Sequence, residues 1–343
     1  MFRRDFLSTV GATTASVIPT VTNAADIVEP GPAAGKRIQQ AIDRVEKQGG
    51  GTIALKGGSY LLEQTLIVRG DRVRIVGESR ATLLRANQAG HTMIRFSGSH
   101  GGVENMSLQG EAADVTALRI EPPADHDGKQ TANQNYNRFS NLFIAGCRDA
   151  ITLQAGPTID GQGDSGCWYN VLETILIIYC QRGIWLKSPV QDRGSSVNRN
   201  QFYSVRIGQF VNTGVQIDAG DTNSFVGCSF EGVNQGNKPN ETPTAILIHK
   251  SATTGADNNN NTFVANRFEG NRLDLDNRNS YSEFYGSNLA FSQDKVRGVE
   301  PLYVVGGYDP SYTPLIMPGL KVTGDSVRFT KEVHFDKPVH FAN

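Results

Sequence analysis

The sequence predicts an all-β protein: a right-handed, single-stranded parallel β-helix with an N-terminal capping helix and a C-terminal β-strand tail. The first observation is a five-fold repeat, NRFSNLFIAGC from Asn137, NVLETILIIYC from Asn170, NQFYSVRIGQF from Asn200, NSFVGCSFEGV from Asn223 and NTFVANRFEGN from Asn261. Each unit opens on Asn. An apolar residue follows two places on (Phe139, Leu172, Phe202, Phe225, Phe263) and another seven places on (Ile144, Ile177, Ile207, Phe230, Phe268). The second observation is what comes next. Four units continue with Gly or Ala and a short alternating strand (AITL, GIWL, GVQI, AILI), and the fifth has RLDL ending at Leu275. The units start 33, 30, 23 and 38 residues apart. Short strands and turns recurring every 20 to 40 residues or so mark a stacked solenoid, and uneven spacing means that loops vary while the coil core does not. The third observation is composition: 37 Gly among 343 residues favour turns and short strands over long helices.

The elements follow in chain order. Residues 1–25 read as a leader. Arg3-Arg4-Asp5-Phe6-Leu7, the mildly apolar SVIPTV and the small-residue site TNA at Ala24 resemble a twin-arginine export signal. That resemblance implies bacterial export of a folded protein, with a periplasmic or secreted location and a mature chain beginning near Ala25. Lys36 to Lys47 carries apolar residues at Ile38, Ala41, Ile42 and Val45, the spacing of an amphipathic helix, and Gly49-Gly50-Gly51 ends it. The strand TIAL, the turn KGGSY and the strands TLIV and VRIVGE come next. This order resembles the opening of the pectate-lyase-like and rhamnogalacturonase/epimerase-like β-helix proteins, over about Pro32 to Ala86. The resemblance implies that the helix covers the first coil. It leaves the chemistry open, since lyases, hydrolases, epimerases and phage tail spikes share the fold.

Coils are expected over 26–290. The stretches 121–134, 158–167 and 234–244, with the DNNNN turn at 257–261, read as loops thrown off them. From 291 to 343 the pattern changes. VRFTKEVHFDKPVHF alternates apolar and polar residues as a β tail, either a cap on the last coil or a homo-oligomer contact. Four Cys form no C-x-x-C pair. Cys147 and Cys180 share one coil position, as buried thiols or as a disulfide in an oxidising compartment. A net charge of −1 argues against nucleic acid as the main partner, and no stretch reaches the length of a membrane span.

Stacked coils place equivalent positions about 4.8 Å apart. Glu231 and Glu269 stand eight places after Asn in the matched strings SFEG and RFEG, so they are expected as neighbouring outward carboxylates. Like charges that close raise one pKa, which suits glycosidic cleavage at separations of about 5–5.5 Å or about 6.5–9.5 Å; two solvated turn glutamates are the alternative. Asp218 and Asp221, in QIDAGDTN, are candidates to assist or are plain turn formers. Arg206 and Arg267 are expected to flank the glutamates, binding a sugar carboxylate or making surface ion pairs. By resemblance to β-helix lyases, one of them would take the proton beside a uronate, with Ca2+ neutralising that group; no other cofactor or metal is expected. TIDGQGDSGCWYN resembles the IDGQG-x-x-WW segment of polygalacturonases at Ile159 to Gly163 and Trp168-Tyr169. That family's later Asn-Thr-Asp, Asp-Asp, Gly-His-Gly and Arg-x-Lys do not follow in order. Trp168, Tyr169 and the outward Trp185 are candidate sugar-stacking platforms. The six His show no triad or zinc spacing. The expected function is cleavage or remodelling of a polysaccharide along the helix groove. Hydrolysis is favoured, with β-elimination and non-catalytic glycan binding as alternatives.

Overall fold

A coil of this repeat can bury its apolar positions only against the coils on either side. In the computed structural model, Phe139, Leu172, Phe202, Phe225 and Phe263 are successive partners in parallel strands. Ile144, Ile177, Ile207, Phe230 and Phe268 form a second such column. Both columns are buried. The Phe202 and Phe225 rings stack with centroids 4.3 Å apart, and Phe225 and Phe263 at 4.9 Å; Phe230 and Phe268 lie 5.2 Å apart and tilted. The structure describes residues 25–123, 133–156, 158–159, 163–164, 166–187, 197–232, 243–249, 260–277, 282–285, 296–297, 302–305, 320–323 and 326–329. Across them the fold is a parallel β-helix, as the repeat predicts.

Each coil has three faces. In the Asn200 coil they are Gln201–Tyr203, Arg206–Phe210 and Thr213–Ile217. The first two faces join into one 17-stranded sheet because Gly102–Gly110 and Arg138–Ala145 run unbroken from one face to the other. The third face is a separate nine-stranded sheet. Left-handed backbone makes the corners. Tyr136, Tyr169, Arg199, Thr222 and Asn260, each just before a repeat Asn, have φ between 52° and 57°. Four places after the Asn, Asn141, Thr174, Ser204, Gly227 and Ala265 also take positive φ. A side chain in that region costs about 1–2 kcal/mol. That most of these residues are not glycine means stacking outweighs the local cost.

The repeat Asn itself is the strongest tie. Asn137, Asn170, Asn200, Asn223 and Asn261 are buried. Each side-chain oxygen accepts the main-chain N–H one coil earlier, from Gly101, Asn137, Asn170, Asn200 and Asn223 in turn, at 2.9–3.1 Å. Each side-chain amide donates to a carbonyl of the preceding corner, on Gly98, Gln134, Cys167, Val197 and Gly220. These corner groups have no strand partner, and burial denies them water.

The helix is Ala34–Lys47; Ile38, Ala41, Ile42 and Val45 are buried over the first coils. Glu63 accepts the Gly35 N–H near its start. All four cysteines are buried free thiols. Cys147 and Cys180 each donate to the carbonyl two residues back, on Ala145 and Ile178. They fill one column as thiols, which is the first of the two readings above. At the far end the coils outrun the expected boundary at 290. Ser282–Tyr285 pairs in parallel with Leu302–Val305, and Leu273–Asn277 with Val296–Arg297. Polar loop-like sequence between those short strands hid them. In the tail, Leu320–Thr323 and Ser326–Phe329 form an antiparallel hairpin. Residues 1–24, the leader, and 330–343 lie outside the described residues.

Replacing Asn200 by Ala should leave the Asn170 N–H and the Cys167 carbonyl buried and unpaired. At about 1–3 kcal/mol for each group, the expected loss is about 2–6 kcal/mol in urea unfolding. A loss below about 1 kcal/mol would show that the column is not holding the coils.

Candidate functional site

The outer side of the third face carries two adjacent columns of polar side chains. Parallel register aligns Arg95, Arg119, Thr152, Trp185, Gln216, Leu247 and Asp276. The same register aligns Ile120, Leu153, Leu186, Ile217 and Ile248 inside. One residue further along each strand stand Glu121, Gln154, Lys187, Asp218 and His249. Five coils thus bring together side chains that are 128 residues apart in the chain at the extremes.

Asp218 is the centre of this arrangement. Trp185 Nε1 donates to its Oδ2 at 2.6 Å, Gln216 Nε2 lies 2.8 and 3.0 Å from its two oxygens, and His249 Nδ1 lies 2.8 Å from Oδ1. Burial acts to raise the Asp218 pKa. The hydrogen bonds from His249, Gln216 and Trp185 outweigh it and hold the carboxyl below its ordinary value. The Trp185 ring is flanked by cations, with the Arg182 guanidinium 3.8 Å and the Lys187 ammonium 4.3 Å from its centre. Burial pulls both of those groups below their ordinary pKa values; for Lys187 the charge of Arg119 adds to the effect. Arg182 and Arg148 share the buried Asp149, and Arg95 and Arg119 lie 2.7 and 3.9 Å from the buried Glu121. Among the described residues Lys187 makes no ion pair.

At the end of this face the chain turns through Asp221. Its carboxyl is pushed up by burial, against the lowering effects of the Thr222 hydroxyl and the Arg199 charge. Arg199 sits at the corner beside it and starts a stack of flat side chains. The guanidinium lies 5.5 Å from the Tyr169 ring centre and donates to the Tyr169 hydroxyl. Tyr169 stacks on Tyr136 at 5.1 Å and 4°, and Tyr136 on His100 at 5.1 Å and 13°. Tyr169 therefore packs against Tyr136 and Arg199 rather than presenting an open face for a sugar. Trp185 likewise spends its N–H on Asp218 and lies against two cations. Trp168 is half-buried on the Gly166 backbone.

The two glutamates behave differently from expectation. Glu231 and Glu269 are direct partners in adjacent coils, so the 38-residue step hides no intervening coil. Neither is left to act on the other. Arg206 donates to Glu231 at 2.6 Å and Arg267 to Glu269 at 2.5 Å. Partial burial acts to raise Glu231, but hydrogen bonds from Arg206 and Ser229 and the nearby Arg charges hold it below its ordinary value. For Glu231 this departs from the expectation of a carboxyl raised by a like-charged neighbour, because Arg206 is its nearer partner. The pair also sits at the end of the second face. The strand Thr213–Ile217, roughly 16 Å long, separates that edge from Asp218. Glu231 and Glu269 therefore do not share a site with Asp218 and Asp221.

At the IDGQG segment, Thr158–Ile159 pairs antiparallel with Gly163–Asp164. Residues 124–132, 160–162, 188–196, 233–242 and 250–259, which include most of the expected loops, lie outside the described residues. Sequence reasoning missed His249, Lys187, Arg182, Arg119 and Glu121. Lys187, Asp218 and His249 each follow the last inward Leu or Ile of a third-face strand, and that shared offset was the available signal. Among the described residues no group of three or more His, Cys, Asp or Glu is placed to hold a metal ion. No described helix is long and apolar enough to cross a membrane.

Comparison with known proteins agrees on the fold. ORF18 of Geobacillus virus E2 is similar with a TM-score of 0.54 and 13% identity, over 88% of this chain and 68% of that one. The full-length tailspike protein 2 from Escherichia coli O157:H7 bacteriophage CAB120 is similar with a TM-score of 0.54 and 12% identity, over 82% of this chain. The match spans less than half of that tailspike, 42% of its length. At such identities the likeness is one of fold alone. No family model matches the chain, and no curated protein matches it.

The opposite shifts of Asp218 and Asp221 give opposite stability effects. A carboxyl with a lowered folded pKa contributes stability above its unfolded value, and that contribution is lost as pH falls through the folded value. Asp218→Asn should therefore lower Tm at pH 7, with the deficit shrinking in acid. A raised carboxyl costs stability while ionised, so Asp221→Asn should raise Tm at pH 7, with the gain shrinking as pH falls through the raised folded value and gone below about pH 4. Equal Tm values for both variants across pH 3–8 would contradict the two environments.

Proposed function

We propose that the chain is an exported, polysaccharide-active enzyme that holds a glycan across the third face and cleaves it near Asp218 and Asp221. The observation that carries the reading is that two carboxyls in one turn have environments pushing their pKa values apart. Such a split supplies a proton donor beside a group that stays ionised, which is what glycosidic hydrolysis needs. Asp221, raised by burial, takes the donor role. Asp218, held ionised, serves the attacking side. The acid–base work thus moves from Glu231 and Glu269, which their arginines neutralise, to the third-face turn. The strand columns give an extended chain of sugars a long surface with polar groups in regular rows. Export rests on the twin-arginine-like leader, and a homo-oligomer through the tail belongs to the same proposal.

One observation favours β-elimination as a second reading. Lys187 is half-buried, lies among Arg119 and Arg182, and has its pKa drawn down, so it is closer to acting as a base than Arg206 or Arg267, which are exposed and paired.

A panel of soluble neutral and uronate-containing polysaccharides decides between these. Hydrolysis releases reducing ends without ultraviolet absorbance. Asp221→Asn is then expected to cost about 10²-fold or more in kcat, while Glu231→Gln changes little. Elimination releases unsaturated, absorbing ends and is lost in Lys187→Ala. Binding without products from any polysaccharide would make the chain a non-catalytic glycan binder.

A further inference from the structure

The Asp218 carboxylate is already engaged on every side. A carboxylate has about four lone-pair positions. Here Trp185 Nε1, Gln216 Nε2 at both oxygens, and His249 Nδ1 occupy that number. A base must turn a lone pair toward the proton it takes, and those of Asp218 are already met by these three side chains. His249 is placed differently. Its Nδ1 is fixed on Asp218, which sets the ring plane and, with Nδ1 as the donor, leaves the basic lone pair on Nε2. The imidazole is one-third exposed while its partner carboxylate is held from three strands.

Resting on the hydrolytic reading above, we propose that His249 is the proton acceptor of this site, and that Asp218 is a positioning residue that fixes its ring and tautomer. Trp185 and Gln216 hold Asp218 in turn. The step balances within the named groups. A water O–H gives its proton to His249 Nε2, the water oxygen bonds to the anomeric carbon, the glycosidic C–O bond breaks, and the leaving oxygen takes the Asp221 proton. The imidazolium then returns a proton to Asp221 through solvent. The His–carboxylate order resembles that of other acid–base dyads in its logic, but it is assembled here by coil register: Asp218 and His249 follow Ile217 and Ile248, which are direct partners.

The charged groups around the imidazole come from three strands. Asp218 touches it. Lys187 and Arg182 stand two coils before it, and Asp274 and Asp276 on the coil after.

Two measurements on the full chain test the assignment. The first needs no substrate: 15N detection of the histidine ring tautomers. His249 should be protonated at Nδ1 in its neutral form, and that tautomer should lose its dominance in Asp218→Ala, which removes the acceptor. A neutral ring protonated at Nε2, or an unchanged tautomer in Asp218→Ala, overturns the dyad. The second uses the polysaccharide from the panel on which the wild type releases most reducing ends. His249→Ala, with His249→Gln as the size-conserving partner, should lose about 10²-fold or more in kcat. Both variants should flatten the acid limb of the kcat/KM profile, and added imidazole should restore part of the alanine variant's rate. Unchanged rate and pH profile in both variants, with the wild type active, sinks the role of His249 alone. A wild type that cleaves nothing in the panel sinks the hydrolytic reading, and the role of His249 with it.

Discussion

A main-chain N–H or carbonyl at a buried corner has no strand to pair with and no water to turn to. The asparagine column answers that problem at every turn, because one amide side chain accepts from the coil before and donates to the corner behind it. The geometry works only if the coils sit in strict register. Register in turn lines up the Phe and Ile columns beneath and the polar columns on the outside. Burial, hydrogen bonding and stacking therefore share one condition: equivalent positions lie one strand spacing apart. The left-handed corners follow from it as well. Tyr136, Tyr169 and Arg199 accept an unfavourable backbone region because their position also puts them face to face.

The same register produces opposite electrostatics on different faces. On the second face, Arg206 with Glu231 and Arg267 with Glu269 form exposed pairs of opposite charge. Such pairs are weak in water, yet they set an arginine beside each of two carboxylates that stacking brings together. On the third face the charges are shielded by neighbouring side chains. Asp149 and Glu121 are nearly covered, each within ion-pair range of two arginines, and Lys187 rests on Trp185. Charged groups held away from water respond strongly to their immediate partners. Arg182, Lys187, Asp218 and, in the adjoining turn, Asp221 have shifted pKa values for that reason.

The aromatic side chains show how stacking can consume a surface. A lone outward tyrosine or tryptophan offers a broad face to a pyranose. In a solenoid the neighbouring coil offers the same position, and a second planar side chain there competes for that face. Tyr169 is taken by Tyr136 and Arg199 in this way. Trp185, set between a cation three residues back and another two residues on, contributes its edge to Asp218 instead.

The repeat alone determined the coil: the opening Asn, the apolar residues two and seven places on, and the small residue before the third strand are local facts about side-chain size and polarity. They also fixed that Glu231 meets Glu269, since matched strings must stack. The sequence could not say which partner each charge would choose. Arg206 and Glu231 are 25 residues apart, and Asp218 lies 33 from Trp185 and 31 from His249. Those distances become contacts only when the number of residues in each intervening loop is converted into one turn of the helix. The role of Asn was hidden for the same reason: a buried amide looks costly until the two main-chain groups it satisfies, one coil away, come into view. Tertiary structure thus decided the charges and their acidities, because these depend on neighbours brought in by stacking, whereas the sequence decided what could stack.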